Sequence, residues 1–270
     1  MAPNIESNQP NQGGIIEGPD GIWYFLTHHG KGDWEGRAVS LLPVTWIDEW
    51  PVIGEPDSNG WGHMVWFGNM PIEGSFEKDE FFCDDFTNKN LDTNWEWNYY
   101  PNNEMWSLSE RSGWLRLKAM KPLQKNNLKK VPNILTQRVY RTKYNEVTIK
   151  MDITGMKDGQ IAGLCHYAAT YAYIGIKKKY AETFIIFNEN ENIESNKIDT
   201  ENEIWLRSVW GLDGICRFYY SMDGKKFQDF GKEYRFTWGN YRGTRIGLFT
   251  FNEKNEEGLI DIDYFEYRKK

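Results

Sequence analysis

Residues 145–188 read "NEVTIKMDITGMKDGQIAGLCHYAATYAYIGIKKKYAETFIIFN" and contain four short runs in which apolar or aromatic residues recur at every second position. The runs occupy 145–153, 161–168, 172–178 and 182–188, with turn-forming residues between them. A period of two is typical of β-strands in a sheet that buries one face. This stretch therefore predicts consecutive antiparallel strands.

The same pattern continues on both sides of this stretch. Five further runs lie at 113–119, 203–210, 216–224, 244–252 and 258–268. Asp223-Gly224 follows one of them within "SMDGKKF", and such a dipeptide is a strong hairpin signal. No segment has a convincing amphipathic helical pattern. Nine strands without helices predict an all-β fold, a two-sheet antiparallel β-sandwich over roughly residues 79–270.

The chain before residue 79 has a different character. Residues 13–54 hold one or two aromatic-rich strands joined by Gly-rich turns. Residues 56–78 are rich in Gly, Pro and Asn and show no sustained period. We expect an ordered linker there, because exposing Trp61, Trp66 and Phe67 to water would be costly.

One segment of the predicted sandwich is almost wholly polar. It spans residues 188–203 and reads "NENENIESNKIDTENE". Its composition predicts a solvated loop, and a calcium-binding loop is the alternative, although the spacing of its acidic residues fits no recognised calcium motif.

Composition and charge exclude two classes of partner. The 270 residues include 39 acidic and 32 basic ones, for a net charge of −7. We expect no nucleic-acid binding, because phosphate contact needs a cationic surface. We also expect no membrane insertion, because no apolar stretch approaches the roughly 20 residues that span a bilayer. The N-terminus shows no signal-peptide pattern, and the compartment, extracellular or cytoplasmic, stays open.

Aromatic residues clustered among asparagines at 94–106, where 99–106 is predicted to be a loop, raise the possibility of a sugar-binding surface. Sugar-binding proteins present aromatic faces to the C–H groups of pyranose rings, beside amides and charged groups that bond the hydroxyls. The candidate residues for such a platform are Trp97, Tyr99, Trp106, His166, Tyr171 and Trp210. The alternative is that alternate members of these runs form the core face of their strands.

Two acidic motifs raise the possibility of a structural calcium ion. They are "CDDF" at 83–86 and "DIDYF" at 261–265. The first and last strands of a sandwich are commonly neighbours, so Asp84 or Asp85 could approach Asp261 or Asp263, and we take Asp84, Asp85 and Asp263 as the candidate ligands. Clustered carboxylates repel one another unless a cation binds them, and calcium accepts such oxygen ligands. Ordinary polar residues at a strand edge are the alternative.

Several of these segments together resemble a known enzyme family. They are "NQGGIIEGPDGIWYFLTHHG" (11–30), "GRAVSLLPVTWIDEWPVIG" (36–54), "DDFTNKNLDTNWEWNYYPNNEMWSLSERSGWLRLKA" (84–119) and "NILTQRVYR" (133–141). In this order they are similar to the C-terminal half of family 43 glycoside hydrolases of the β-xylosidase and α-L-arabinofuranosidase type. The match spans nearly the whole chain.

The resemblance implies a domain organisation. Residues 1–55 would be a remnant of the last blade of a five-bladed β-propeller, and 56–78 an ordered linker. Residues 79–270 would form the concanavalin-A-like sandwich that many family members carry after the propeller. The whole chain would be all-β, with the propeller-derived segment preceding the sandwich.

The resemblance also implies a function. Family members hydrolyse with inversion, using three carboxylates in the early and middle blades, and none of these matches an acidic residue of this chain. We therefore expect no catalytic residue here and a chain that binds xylan or arabinoxylan oligosaccharides without hydrolysing them. One alternative is a subunit of a split enzyme, active when another chain supplies the missing blades. The other is a purely structural or interaction module.

One substrate-pocket residue of the family has a counterpart. The pair Gly36-Arg37 precedes "PVTW" as in the family, which implies that Arg37 lies in the substrate pocket. A guanidinium suits that role because its fixed donors can hold sugar hydroxyls or a carboxylate. A surface salt bridge is the alternative. Asn11 of "NQGG" stands where the family has histidine, which puts an inherited metal site in doubt.

Overall fold

A computed structural model describes residues 11–30, 34–65, 67–74, 80–125, 127–200, 202–239 and 241–270. Contacts between Cα atoms divide the chain into two compact units, Met1–Lys78 and Asp79–Lys270. The described residues form β-strands and two short 3₁₀ turns. No helix within these ranges is long and apolar enough to cross a bilayer.

The first unit contains a four-stranded antiparallel sheet and a small hairpin. The sheet strands, in spatial order, are β1 (Gly13–Glu17), β2 (Trp23–Gly30), β3 (Arg37–Ile47) and β4 (Trp50–Ile53). The hairpin strands are β5 (Glu55–Pro56) and β6 (Gly62–His63). Asp48 and Glu49 form the tight turn between β3 and β4, with φ angles of 49° and 66°. The derivation of this unit from a propeller blade stays a prediction.

The expected burial of the linker aromatics is wrong for two of the three. Trp61 is 73% exposed and Phe67 is 94% exposed. Trp66 and residues 75–79 lie outside the described residues. A large apolar residue therefore does not by itself guarantee burial in a segment without a repeating apolar pattern.

The second unit is built from sixteen strands among its described residues. They are β7 (Phe81–Asp84), β8 (Glu96–Trp97), β9 (Trp106–Ser107), β10 (Leu115–Lys118), β11 (Leu135–Arg138), β12 (Asn145–Asp152), β13 (Gln160–Tyr167), β14 (Tyr171–Lys179), β15 (Glu182–Glu189), β16 (Asn192–Ile198), β17 (Glu203–Trp210), β18 (Ile215–Ser221), β19 (Gln228–Asp229), β20 (Tyr234–Arg235), β21 (Arg245–Asn252) and β22 (Leu259–Lys269). The two 3₁₀ turns are Asn103–Met105 and Leu128–Lys130.

These strands form two antiparallel sheets. The nine-stranded sheet has the order β19-β18-β17-β12-β22-β10-β9, with β20 beside β18 and β7 beside β22. The seven-stranded sheet has the order β16-β15-β14-β13-β21-β11-β8. All nine runs of period two form strands, and the all-β antiparallel sandwich is confirmed. Asp223-Gly224 lies in the turn between β18 and β19, as the hairpin signal predicts.

One polar segment was assigned incorrectly. Residues 188–203 contain β16, which pairs with β15 at the edge of the seven-stranded sheet. Its side chains are mostly exposed, so the strand has no alternating apolar signal. An edge strand needs only backbone hydrogen bonds on one side, which explains why composition predicted a loop.

The seven-stranded sheet is buried on both faces. One face packs against the nine-stranded sheet with residues such as Leu164 and Ile174. On the other face, Leu128, Val131 and Ile134 join one cluster with sheet residues. The sheet members of that cluster are Ile161, Cys165, Tyr171, Tyr173, Ile186, Phe249 and Phe251. Central strands β13, β14 and β21 are therefore almost continuously apolar.

Candidate functional site

Two predicted platform residues belong to the core between the sheets. His166 is fully buried, with Nε2 2.6 Å from Ser208 Oγ and its ring 4.5 Å from that of Phe236. Burial lowers the pKa of His166 to about 3, so its imidazole is neutral. Trp210 is also buried, and its Nε1 donates to the carbonyl of Tyr140 at 3.1 Å. The prediction that His166 and Trp210 contact sugar is wrong, because the alternation of their strands turns them inward.

Tyr171 is buried on the opposite face of the seven-stranded sheet. Its ring stacks on Tyr173 at 6.5 Å between centroids, with 10° between the planes. Both belong to the cluster that Leu128 covers. The prediction of an exposed platform residue is therefore wrong for Tyr171 as well.

Trp97 and Trp106 close one edge of the sandwich. They lie on β8 and β9, the terminal strands of the two sheets, and their ring centroids are 5.2 Å apart. Both are partly buried, and Trp106 Nε1 donates to Asn103 Oδ1 at 3.1 Å. Trp106 also lines an open groove of about 800 Å³ whose other walls are mainly polar. These two residues are mainly structural, with part of Trp106 open to the groove.

Tyr99 lies at a smaller pocket that is lined by aromatic, amide and charged side chains. This pocket of about 300 Å³, here named the Tyr99 pocket, is lined among others by Asn98, Tyr99, Tyr167, Tyr241, Arg242 and Arg245. Tyr99 is 51% exposed and Tyr241 is 64% exposed. The hydroxyl of Tyr99 donates to the carbonyl of Lys129 at 2.8 Å, which restrains the ring. Of the predicted residues, Tyr99 is therefore the one placed with an exposed aromatic ring beside polar groups.

Strand register brings together two residues of the Tyr99 pocket, Tyr167 and Arg245, and charged residues beside it. Arg138 of β11 lies opposite Arg245 of β21, and Arg245 lies opposite Tyr167 of β13. Thr136 lies two residues before Arg138 on the same face of β11, and Glu96 of β8 lies opposite Thr136. Residues far apart in the chain thus share one face of the seven-stranded sheet, because side chains of paired strands in register point the same way.

A carboxylate bridges two of the arginines. Glu96 Oε2 accepts hydrogen bonds from Arg242 Nη2 at 2.6 Å and from Arg245 Nη2 at 2.7 Å. Burial raises the pKa of Glu96, but these two guanidinium groups outweigh it and hold the pKa below its usual value. Burial lowers the pKa of Arg245, whose side chain is 10% exposed; Glu96 opposes this effect, and Arg242 and Arg138 add to it. Charge is therefore concentrated on one side of the pocket.

In the first unit, Arg37 lies at the start of β3. Its Nη1 is 3.4 Å from His28 Nε2. The backbone N–H of Asn11 donates to the carbonyl of His28 at 3.0 Å. The structure thus brings together Asn11, His28 and Arg37, and a role for Arg37 in a substrate pocket stays a prediction.

The three predicted calcium ligands do not share a site. Asp84 Oδ1 accepts from the N–H of Phe86 and Oδ2 from Trp95 Nε1, so Asp84 is bonded by the protein itself. Asp85 accepts from Thr87 in the next turn. Although β7 does pair with β22, Asp84 lies opposite Phe265 rather than an aspartate.

Asp263 forms an ion pair with a lysine of the protein. Lys150 Nζ lies 2.9 Å from Asp263 Oδ2, and neighbouring Asp261 is held by Arg116 and Arg111. No group of three or more His, Cys, Asp or Glu side chains in the described part of the chain is placed to hold a metal. A structural calcium stays a prediction, and Asp84, Asp85 and Asp263 do not fit it.

The fold and these side chains can be compared with known proteins. A family model described as "Beta xylosidase C-terminal Concanavalin A-like domain" matches residues 83–268. This chain belongs to that family. The resemblance to the C-terminal part of family 43 glycoside hydrolases is thereby confirmed.

Relatives outside the family model agree with this assignment. This chain is 32% identical over 288 residues to "Beta-xylosidase" of Formosa agariphila, and the match covers 97% of this chain and 48% of the relative. A solved structure, "Bifunctional GH43-CE" of Bacteroides eggerthii, superposes with a TM-score of 0.79 at 28% identity, covering 97% of this chain and 34% of that one. Xylan beta-1,4-xylosidase from Bacillus halodurans shares the fold, with a TM-score of 0.77 at 20% identity. This match covers 100% of this chain and 56% of the xylosidase chain. The chain spans about half the length of the curated relatives it matches.

Sequence reasoning missed most residues in and beside the Tyr99 pocket of this family 43 C-terminal domain. Glu96, Arg242 and Arg245 carried no motif. A partial signal existed for Arg245, because the alternation of "TRIGLFTFN" puts it on the face opposite Ile246 and Leu248. Nothing in the local pattern indicated that Glu96 would meet Arg242.

Proposed function

We propose that this domain binds xylan- or arabinoxylan-type oligosaccharides at the Tyr99 pocket, as the carbohydrate-binding part of a family 43 glycoside hydrolase. One observation carries the proposal: Tyr99 and Tyr241, both exposed, flank a pocket that also holds amide and guanidinium groups. Tyrosine rings pack against the C–H faces of sugar rings, while amide and guanidinium groups bond hydroxyls. The names of the relatives, among them "Beta-xylosidase", support a xylan-type ligand.

The pocket is better suited to this role than the groove at Trp106. Its volume of about 300 Å³ lies at the lower end of ligand sites, which suits a short segment of a saccharide chain. The groove is larger, but Trp106 packs against Trp97 and is the one aromatic side chain in its lining. Two exposed aromatic rings are a better match to consecutive sugar units than one partly covered ring.

The pocket is also pre-organised in part. The Tyr99 hydroxyl is held by the carbonyl of Lys129, and the Arg242 and Arg245 guanidinium groups are held by Glu96. Side chains that are already restrained lose less conformational entropy when a ligand binds. Binding at this pocket would therefore need little rearrangement.

We further propose that the 270-residue chain contributes binding rather than hydrolysis. The support is the resemblance, in which the three catalytic carboxylates of the family match no acidic residue of this chain. A split enzyme, completed by a second chain, would instead show hydrolysis in the presence of that partner.

Calorimetric titration with xylohexaose tests the binding proposal. We expect measurable affinity, reduced about tenfold or more by Tyr99→Ala and by Tyr241→Ala, since each removes one stacking surface. Tyr180→Ala is the matched control, because Tyr180 is equally an exposed tyrosine but lies in the turn between β14 and β15. Retention of the protein in a xylan-containing native gel provides a second readout that does not depend on binding enthalpy. No binding by either method, or equal affinity in all three variants, would refute the proposal.

A further inference from the structure

An arrangement of charge that costs stability lies at and beside the Tyr99 pocket. Arg138 and Arg245 are direct cross-strand neighbours between β11 and β21. Like charges directly opposite each other destabilise a sheet. Arg242 adds a third guanidinium, which also acts on Arg245. Such a grouping is unexpected on a chain whose net charge is −7.

The protein compensates this charge only in part. The charged groups acting on Arg245 include the carboxylate of Glu96 and the guanidinium groups of Arg242 and Arg138. Arg242 and Arg245 share the one carboxylate of Glu96, so positive charge exceeds negative charge by one within this group of three side chains. Arg242 and Arg245 share a single oxygen of Glu96, so the carboxylate does not saturate their donors.

One buried donor is left without an acceptor. The side chain of Arg245 is nine-tenths buried, and its Nε makes no hydrogen bond to any described residue. A buried unsatisfied donor is costly, and a charged one more so. Arg242 and Arg245 both line the pocket, so their excess charge lies beside the same cavity as Tyr99 and Tyr241.

We infer that the Tyr99 pocket recognises a sugar that carries a carboxylate, a uronic acid unit attached to the xylan-type chain, in preference to a neutral sugar. This inference rests on the proposed function. The tyrosine rings take the faces of the sugar, and the ligand carboxylate accepts hydrogen bonds from the arginines that Glu96 leaves unsaturated. Guanidinium groups suit this task because their planar donors match the two oxygens of a carboxylate.

The geometry favours a carboxylate over a hydroxyl as the group read by the arginines. A hydroxyl would leave the excess positive charge of Arg242, Arg245 and Glu96 uncompensated, whereas one carboxylate neutralises it. Hydrogen bonds between charged partners in a partly buried site are also stronger than those to neutral groups. The neutral part of the chain contributes to affinity through Tyr99 and Tyr241, and the acidic unit adds selectivity.

The test compares three ligands that differ in a single group. They are a neutral xylo-oligosaccharide, the same oligosaccharide bearing one glucuronic acid unit, and its methyl ester, which keeps the sugar and removes the charge. For the wild-type protein we expect the acidic ligand to bind at least tenfold more tightly than the other two in calorimetric titration. That advantage decreases with added salt.

Arg242→Gln removes one positive charge from the pocket and keeps the fold. Arg242 is 44% exposed, so the variant keeps the core intact. We expect it to lose most of the preference for the acidic ligand, because its affinity for that ligand falls much more than its affinity for the neutral one. Arg217→Gln is the matched control, because Arg217 is an exposed arginine paired with Glu233 on the other sheet. It should leave all three affinities unchanged.

The possible results distinguish this inference from the proposed function. Equal wild-type affinity for acidic ligand and methyl ester would overturn the inference and leave xylan binding intact. An equal loss of affinity for all ligands in Arg242→Gln would overturn it too, since the arginine would then only support the pocket. Failure of all three ligands to bind would refute the proposed function itself.

Discussion

Protonation of His166 should control the stability of the sandwich in mildly acidic solution. The imidazole is fully buried between the sheets, against Phe236, Phe218 and Trp210, and bonded to Ser208. Its charged form is disfavoured there, and the pKa falls to about 3 from an ordinary value of 6.5. In the unfolded chain the same group titrates near 6.5.

The sign and size of the effect follow from these two values. Between pH 6.5 and pH 3 the unfolded state binds a proton that the folded state does not, so stability falls as the pH decreases. Each pH unit below 6.5 costs about 1.4 kcal/mol from this one group. Between pH 7 and pH 5 the loss is about 2 kcal/mol, a range in which Asp and Glu contribute little because most of them titrate lower.

Urea unfolding at several pH values between 7 and 5 measures this loss. The transition with the larger dependence on urea belongs to the larger unit, since that slope scales with the surface exposed on unfolding. We expect the wild-type free energy of unfolding to fall by about 2 kcal/mol over this range. In His166→Gln, whose amide can still reach Ser208, the value should be nearly independent of pH even if its level is lower at pH 7.

A control with an exposed histidine makes the comparison specific. His63 lies at the surface of the first unit, paired with Asp57, and His63→Gln should leave the pH dependence of the sandwich as in wild type. An unchanged slope in His166→Gln, or a wild-type stability that stays flat to pH 5, would refute the reasoning.

Two further predictions concern the hairpin and the chemistry. Gly224→Ala should destabilise the sandwich by about 1 kcal/mol or more, because Gly224 has φ of 68° and an added Cβ would lie 2.9 Å from the Trp205 ring. Gly113→Ala is the control: Gly113 has φ of 72°, but no atom would lie closer than 3.8 Å to the added Cβ, so this variant should lose less stability in thermal unfolding. Equal losses of stability in the two variants would contradict the contact argument. The purified chain should not hydrolyse an aryl β-xyloside. Hydrolysis that survives purification and disappears in Glu17→Gln or Asp48→Asn would contradict this prediction. Hydrolysis that appears only when a second chain is added would favour the split enzyme.

The strands of the sandwich were predictable because their signal is local. Alternation along 145–153 or 203–210 reports one buried face without knowledge of the partner strand. β16 was missed because an exposed edge strand is specified by its neighbour's backbone rather than by its own side chains. The family resemblance rested on longer stretches of sequence and was confirmed.

The candidate site was much less predictable. The sequence indicated aromatic residues near 95–106 and 166–175, but alternation could not tell which would be covered. Both faces of the seven-stranded sheet are buried, so His166 on one face and Tyr171 on the other are equally hidden. Tyr99 stays exposed because it follows β8 into the loop that precedes Trp106.

By itself the sequence determined the strands, the antiparallel all-β class and the family, because these depend on patterns within a few residues or on a whole-chain likeness. Only the tertiary structure decided which aromatics reach solvent, and that Glu96 meets Arg242 and Arg245, 146 and 149 positions away. Strand pairing and the covering of a sheet by a second layer act between distant segments. A local pattern predicts that a face will be buried, while the fold decides what buries it and which charges it brings together.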